Sequence, residues 1–133
     1  YSFIAVARYA RPWLTKPASL ITLTYFGATR AIPNYNMMGV AKAALESSVR
    51  YLATDLGTEQ IRVNAISAGA VKTLAVTGIK GHGDLLKMST SLTVDQQSVT
   101  TSEIGNVAAF LLSDLSTGMT GDILYVDKGV HLM

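Results

Sequence analysis

Residues 25–42, YFGATRAIPNYNMMGVAK, leave an apolar strand, turn through a loop containing Gly27 and Pro33, and enter a long helical pattern. Tyr35 and Lys42 stand seven positions apart. On one helix that spacing is almost two turns, which places two side chains within about 20° around the axis and about 10 Å along it. Both then face one pocket. A phenol donates a proton to an oxyanion best when its pKa of about 10 is eased downward, and a nearby ammonium does this by stabilising the phenolate. The pair reads as a candidate active site, against the plain alternative of a loop tyrosine and a solvated lysine.

Outward from this stretch the chain reads as an α/β fold. Before it, Ala18 to Thr24, ASLITLT, is short, β-branched and apolar on both faces, as in a central strand of a covered parallel sheet. Ser2 to Tyr9 has amphipathic helical spacing that Pro12 bends or closes. After it, the spacing predicts a helix from about Tyr35 to Leu56, with Leu45, Val49, Leu52 and Leu56 as its apolar stripe. Gly39, Ala41, Ala43 and Ala44 allow close approach by another element, and Gly57 is a stop signal. Ile61 to Ile66, IRVNAI, is a second buried strand, and the SAGA that follows turns sharply at its carboxyl end, where open parallel sheets bind ligands.

The rest is more varied. Residues 72–92 contain Gly78, Gly81 and Gly83 among scattered apolar residues and predict short helices, serving either as a mobile lid or as a surface connection. Thr93 to Gln97 is polar and expected to be exposed. Thr100 and Glu103 have capping-box spacing and open a helix to Leu112, with Ile104, Val107, Ala108, Leu111 and Leu112 on its apolar face. Asp122 to Val126, DILYV, is a third strand. The alternation of helices and strands predicts the C-terminal half of a Rossmann-like doubly wound parallel sheet, three strands with flanking helices.

Composition limits the function classes. The 133 residues are 49% hydrophobic and 15% charged, enough for one domain with a core. A net charge of +2, from 11 basic and 9 acidic residues without a run, suggests neither a nucleic-acid groove nor a polybasic membrane patch. With no cysteine there is no disulfide or thiolate metal site, and no metal is expected. No apolar run reaches the roughly 18 residues needed to span a bilayer. A cytoplasmic protein is the expectation.

Three stretches carry a family resemblance: Leu23 to Gly57, IRVNAISAG from Ile61 to Gly69, and FLLSDLSTGMTGDILYVDKG from Phe110 to Gly129. With them the sequence resembles the enoyl-acyl carrier protein reductases of bacterial fatty-acid synthesis, a divergent branch of the short-chain dehydrogenase/reductase superfamily. The similarity runs from Tyr1 to Met133. Tyr35-x6-Lys42 is its discriminating feature, because carbonyl-reducing relatives have Tyr-x3-Lys and Met38 stands four before this lysine. The resemblance implies reduction of the 2,3 double bond of an enoyl thioester by NADH, with NADPH possible, on a substrate carried by acyl carrier protein. It assigns Tyr35 to the oxyanion, Lys42 to the nicotinamide ribose and Tyr25 to the thioester pocket. It runs Gly69 to Ala75 along the cofactor, with Val71 near the ring, Thr73 near phosphate, and Leu74 and Ala75 beside them. Ile79 and the lid around it cover the acyl chain. A homotetramer is implied for full-length members.

There are departures from the family. Ala70 replaces the usual proline after SAG, and Val94, Asp95, Gln96 and Gln97 stand where a Pro-apolar-Arg-Arg run is common. Around His82, Gly83 and Asp84 only Lys80 keeps the family's basic character, which weakens charge steering of an acidic carrier protein. The one Gly-x-Gly, Gly81 to Gly83, follows no strand and is no phosphate loop. Residues 1–133 therefore read as a single partial domain carrying the catalytic half, with the N-terminal cofactor half absent and little activity expected of this stretch alone. Two other readings stay open: a carbonyl reductase of the same superfamily, and a non-catalytic fragment that keeps only association surfaces.

Overall fold

Two largely apolar runs, ASLITLT and IRVNAISA, lie side by side in the sheet of a computed structural model that describes residues 1–77 and 81–133. In chain order the elements are α1 (Ser2–Ala10), β1 (Ala18–Thr24), α2 (Met37–Leu56), β2 (Ile61–Ala68), α3 (Leu74–Thr77), α4 (His82–Leu92), α5 (Thr101–Leu112) and β3 (Ile123–Val126). The three strands are parallel in the order β1-β2-β3, with β1 running in register from Ala18 opposite Ile61 to Thr24 opposite Ser67. The expected half of a doubly wound sheet is there, and all three carboxyl ends point the same way.

Each face of β2 meets a different helix because side chains alternate along a strand. Ile61, Val63 and Ala65 pack against Val49, Ala53 and Leu56 of α2, with Phe3, Leu20 and Ile123 around them. Burying each larger aliphatic side chain of this kind contributes about 1.5–3 kcal/mol. On the opposite face Arg62 and Ser19 reach α5. Ser19 Oγ donates to the Leu111 carbonyl at 2.8 Å, and Leu111 is fully buried.

Arg62 is the main polar fastening of that layer. Its guanidinium donates to the carbonyls of Leu111 and Ser113, both at 3.1 Å, to Met119 O at 3.3 Å and to Ser116 Oγ at 3.0 Å. It thus satisfies carbonyls that a helix end leaves orphaned. Asn64, fully buried, continues the seam by donating to Met119 O at 2.9 Å and accepting from Asp122 N at 3.1 Å. Arg62→Met keeps the stem and removes the fork, so it is expected to cost about 3 kcal/mol in urea unfolding by leaving partly buried carbonyls unpaired. An unchanged unfolding midpoint would show that Arg62 does not hold α5.

Several expectations change in detail. The long helix begins at Met37, not Tyr35, because Asn34 and Asn36 take positive φ values of 64° and 43° that break helical continuity. Gly57 keeps right-handed helical angles and opens a short 3₁₀ turn, and Gln60 makes the left-handed reversal at φ 60°. In the α2 stripe Glu46 and Ala53 are buried together with Val49 and Leu56. Gly39 is closely approached, whereas Ala41, Ala43 and Ala44 are exposed. Leu112 is 53% exposed and falls off the apolar face of α5, while Thr93 is buried within the segment expected to be exposed. The capping box at Thr100 forms in full, with Glu103 N donating to Thr100 Oγ1 and Thr100 N to Glu103 Oε2.

Candidate active site

A cleft of about 500 Å³ opens at the carboxyl ends of β1 and β2, lined on one side by Leu23, Thr24, Tyr25, Tyr35, Met38 and Lys42. Its other side is formed by residues 68–71, Thr73, Val76, Leu85, Thr101 and Ile104. Tyr25, Tyr35, Lys42, Gly69, Val71 and Thr73 are thus brought together as the sequence led one to expect. Leu74 is not among the lining residues and is 90% exposed. Ala75 lies within α3, and Ile79 lies outside the described residues. Among the described residues no group of three or more His, Asp or Glu is placed to hold a metal ion.

The two tyrosines are seated by backbone. β1 ends at Thr24, and a 3₁₀ turn over Phe26–Ala28 carries the chain away, leaving the Tyr25 and Tyr35 rings edge to face with centroids 5.0 Å apart. Tyr35 is buried at 7% exposure, its N–H donating to the Ile32 carbonyl at 3.1 Å. Gly27 lies directly under its ring. A Cβ at Gly27 would come within 2.7 and 2.8 Å of two Tyr35 ring carbons, and one at Gly39 within 2.9 Å of the Gly27 carbonyl oxygen. Glycine at both positions lets the turn, the phenol ring and the first turn of α2 close on one another.

Electrostatics at the cleft run against one expectation. Burial pushes the Tyr35 phenol above its ordinary pKa, and pushes Tyr25 up to about 12 with Tyr35 adding to the shift. Lys42 does not ease Tyr35 downward. Its Nζ donates instead to the Leu23 carbonyl at 2.9 Å, and burial holds the ammonium below its usual pKa, opposed by Glu46. Phenols are protonated at neutral pH, and burial moves both of these further from ionisation. The helical-spacing argument also changes, since Tyr35 sits in the turn before α2 and only Lys42 is on the helix.

Some cleft residues had not been singled out. Leu85 of α4 and Thr101 and Ile104 of α5 come from segments far along the chain, and of these the sequence marks Ile104 only as part of the apolar face of α5. Glu46 does not line the cleft and had not been singled out either: it accepts from Thr24 Oγ1 at 2.8 Å, and the signal that could have found it is a carboxylate three positions before Val49 on the buried face of α2.

The cleft at the carboxyl ends of this parallel sheet brings a tyrosine and a lysine together, and comparison with known proteins gives the family of the chain. The family model described as Enoyl-(Acyl carrier protein) reductase matches residues 1–131, and the chain belongs to that family. It is 58% identical over 132 residues to the enoyl-[acyl-carrier-protein] reductase [NADH] FabI of Enterococcus faecalis, covering 99% of this chain and 53% of that protein. The crystal structure of the enoyl-[acyl-carrier-protein] reductase (NADH) of Aquifex aeolicus superposes with a TM-score of 0.96 at 44% identity, covering 100% of this chain and 52% of the other. An Anaplasma phagocytophilum enoyl-(acyl-carrier-protein) reductase solved in complex with NAD gives a TM-score of 0.93 at 48% identity, covering 100% and 51%. The chain spans about half the length of the relatives it matches. No described helix is long and apolar enough to cross a membrane.

Proposed function

We propose that these residues form the catalytic half of an NADH-dependent enoyl-[acyl-carrier-protein] reductase. The observation that carries this reading is the gathering of Tyr25, Tyr35, Lys42, Gly69, Val71 and Thr73 around one cleft. The residues present suit the nicotinamide end of a dinucleotide. An ammonium has three donors, and Lys42 spends one on the Leu23 carbonyl, which leaves two for ribose hydroxyls. Val71 gives a flat ring an apolar neighbour, and Thr73 gives a phosphate a hydroxyl. Bound there, NADH would supply hydride for the β-carbon of the enoyl thioester, which would leave negative charge on the thioester oxygen.

The chain's own work is at that oxygen. Tyr35, protonated at neutral pH as a phenol ordinarily is and kept so by burial, donates a hydrogen bond that strengthens as the charge grows, so it lowers the barrier rather than merely binding substrate. Tyr25, in edge contact with it, packs the thioester end of the pocket. Val76, Leu85 and Ile104 form an apolar wall for the acyl chain, excluding water and strengthening the electrostatics inside. Exposed Ile4, Val40 and Tyr51 on α1 and α2 support packing of copies into a homotetramer. A cytoplasmic setting belongs to the same reading, supported by the use of NADH and a carrier-bound substrate.

An assay tests this directly. Joined behind the upstream half of the Enterococcus faecalis relative, the chain is expected to oxidise NADH with enoyl thioesters and not to act on β-ketoacyl thioesters. Activity with β-ketoacyl thioesters alone would make it a carbonyl reductase and overturn the reading.

A further inference from the structure

Glu46 is a carboxylate at 7% exposure in a helix face whose other buried residues are Val49, Ala53 and Leu56. Burying a charge is costly unless it is paired and hydrogen-bonded, so an apolar residue would serve the core better here. Local helix stability does not explain it either. Lys42 and Glu46 are an i,i+4 pair with the lysine first, the less favourable order for an isolated helix.

What the pair does is hold the end of a strand. Lys42 Nζ donates to the Leu23 carbonyl at 2.9 Å, and Glu46 Oε1 accepts from Thr24 Oγ1 at 2.8 Å. Residues one turn apart on α2 thus grip successive residues of β1, at the point where Leu23 and Thr24 enter the cleft. Ser67, the register partner of Thr24 on β2, adds a second buried hydroxyl on the same face.

We propose that Glu46, oriented by Thr24, is a positioning residue that acts through Lys42, seating the ammonium at the end of β1 where it meets the cofactor. The proposal rests on the reading of Lys42 as a cofactor contact. Burial favours the neutral amine of Lys42, and the carboxylate of Glu46 opposes this. Among the described residues lining the cleft the remaining titratable groups are Tyr25 and Tyr35, both uncharged at neutral pH, so no other charge there does the same work.

Glu46→Gln separates the charge from the packing, because glutamine keeps the volume and an acceptor for Thr24. In the 133-residue chain labelled at lysine Cε, carbon NMR is expected to show the Lys42 titration midpoint falling by about one pH unit. In the joined protein the NADH Kd is expected to rise about tenfold, which is about 1.4 kcal/mol. A purely structural Glu46 would lower the unfolding temperature and leave the Lys42 midpoint in place, and that result overturns the proposal. Should Glu46→Gln not fold, Thr24→Val removes the group that orients the carboxylate and is expected to move the Lys42 midpoint the same way by less; no movement overturns the proposal equally. The Lys42 titration is independent of enoyl reduction. A shifted midpoint without reductase activity would sustain the role of Glu46 and refute the functional reading.

Discussion

Tyr35→Phe in the joined protein is expected to lower kcat by roughly a hundredfold or more while the NADH Kd stays within about twofold, since one donor to a developing oxyanion is worth about that much. Phenylalanine retains the ring that lies against Gly27 and Tyr25, so the cleft keeps its shape and only the hydroxyl is lost. Stopped-flow NADH oxidation with an enoyl-coenzyme A substrate, beside a fluorescence titration of cofactor, separates the two quantities. A turnover number equal to that of the parent would remove Tyr35 from the chemistry.

Lys42→Met is expected to act on both quantities. It keeps much of the stem but loses the charge, the hydrogen bond to the Leu23 carbonyl and both donors left for the ribose, so the NADH Kd should rise about tenfold or more and kcat should fall with it. Lys42→Arg keeps the charge but presents a broad planar fork where a compact ammonium fits, and partial rescue is expected. A lysine that merely projects into solvent would change stability and function by no more than about 0.5 kcal/mol in either variant. If methionine at position 42 behaves like the parent, the assignment of the cleft is wrong.

The fold was legible because its strands announce themselves. ASLITLT and IRVNAI are apolar runs bounded by turn residues, and they became β1 and β2 with β2 extended by two residues through Ala68. The capping box located α5 to the residue for the same reason, since Thr100 and Glu103 act on each other locally. What depended on backbone detail was less legible. Two asparagines with positive φ moved the start of α2 past Tyr35, and neither residue type dictates that conformation. The lowered phenol pKa failed because proximity in sequence did not reveal where Lys42 points: its ammonium bonds a carbonyl, and burial dominates at Tyr35. Leu85, Thr101 and Ile104 join the cleft only through tertiary packing. Glu46 was not legible in the sequence, because its meaning needs Thr24 beside it.

The close contact of Gly27 with the Tyr35 ring, and of Gly39 with the Gly27 carbonyl, backs the tyrosine side of the cleft with glycines that do not themselves line it, and gives the sides of the cleft different freedom to change. On that side neither glycine position accepts a methyl group without displacing the phenol or the start of α2, so drift there is punished at once. The facing wall, Val76, Leu85 and Ile104, comes from three separate helices and is made of side chains that can be exchanged for larger or smaller ones one at a time. Under the proposed function, changes in preferred substrate size are expected to accumulate on the helical wall while the tyrosine packed on Gly27 stays fixed, so that specificity and reactivity can be selected independently in one small cleft.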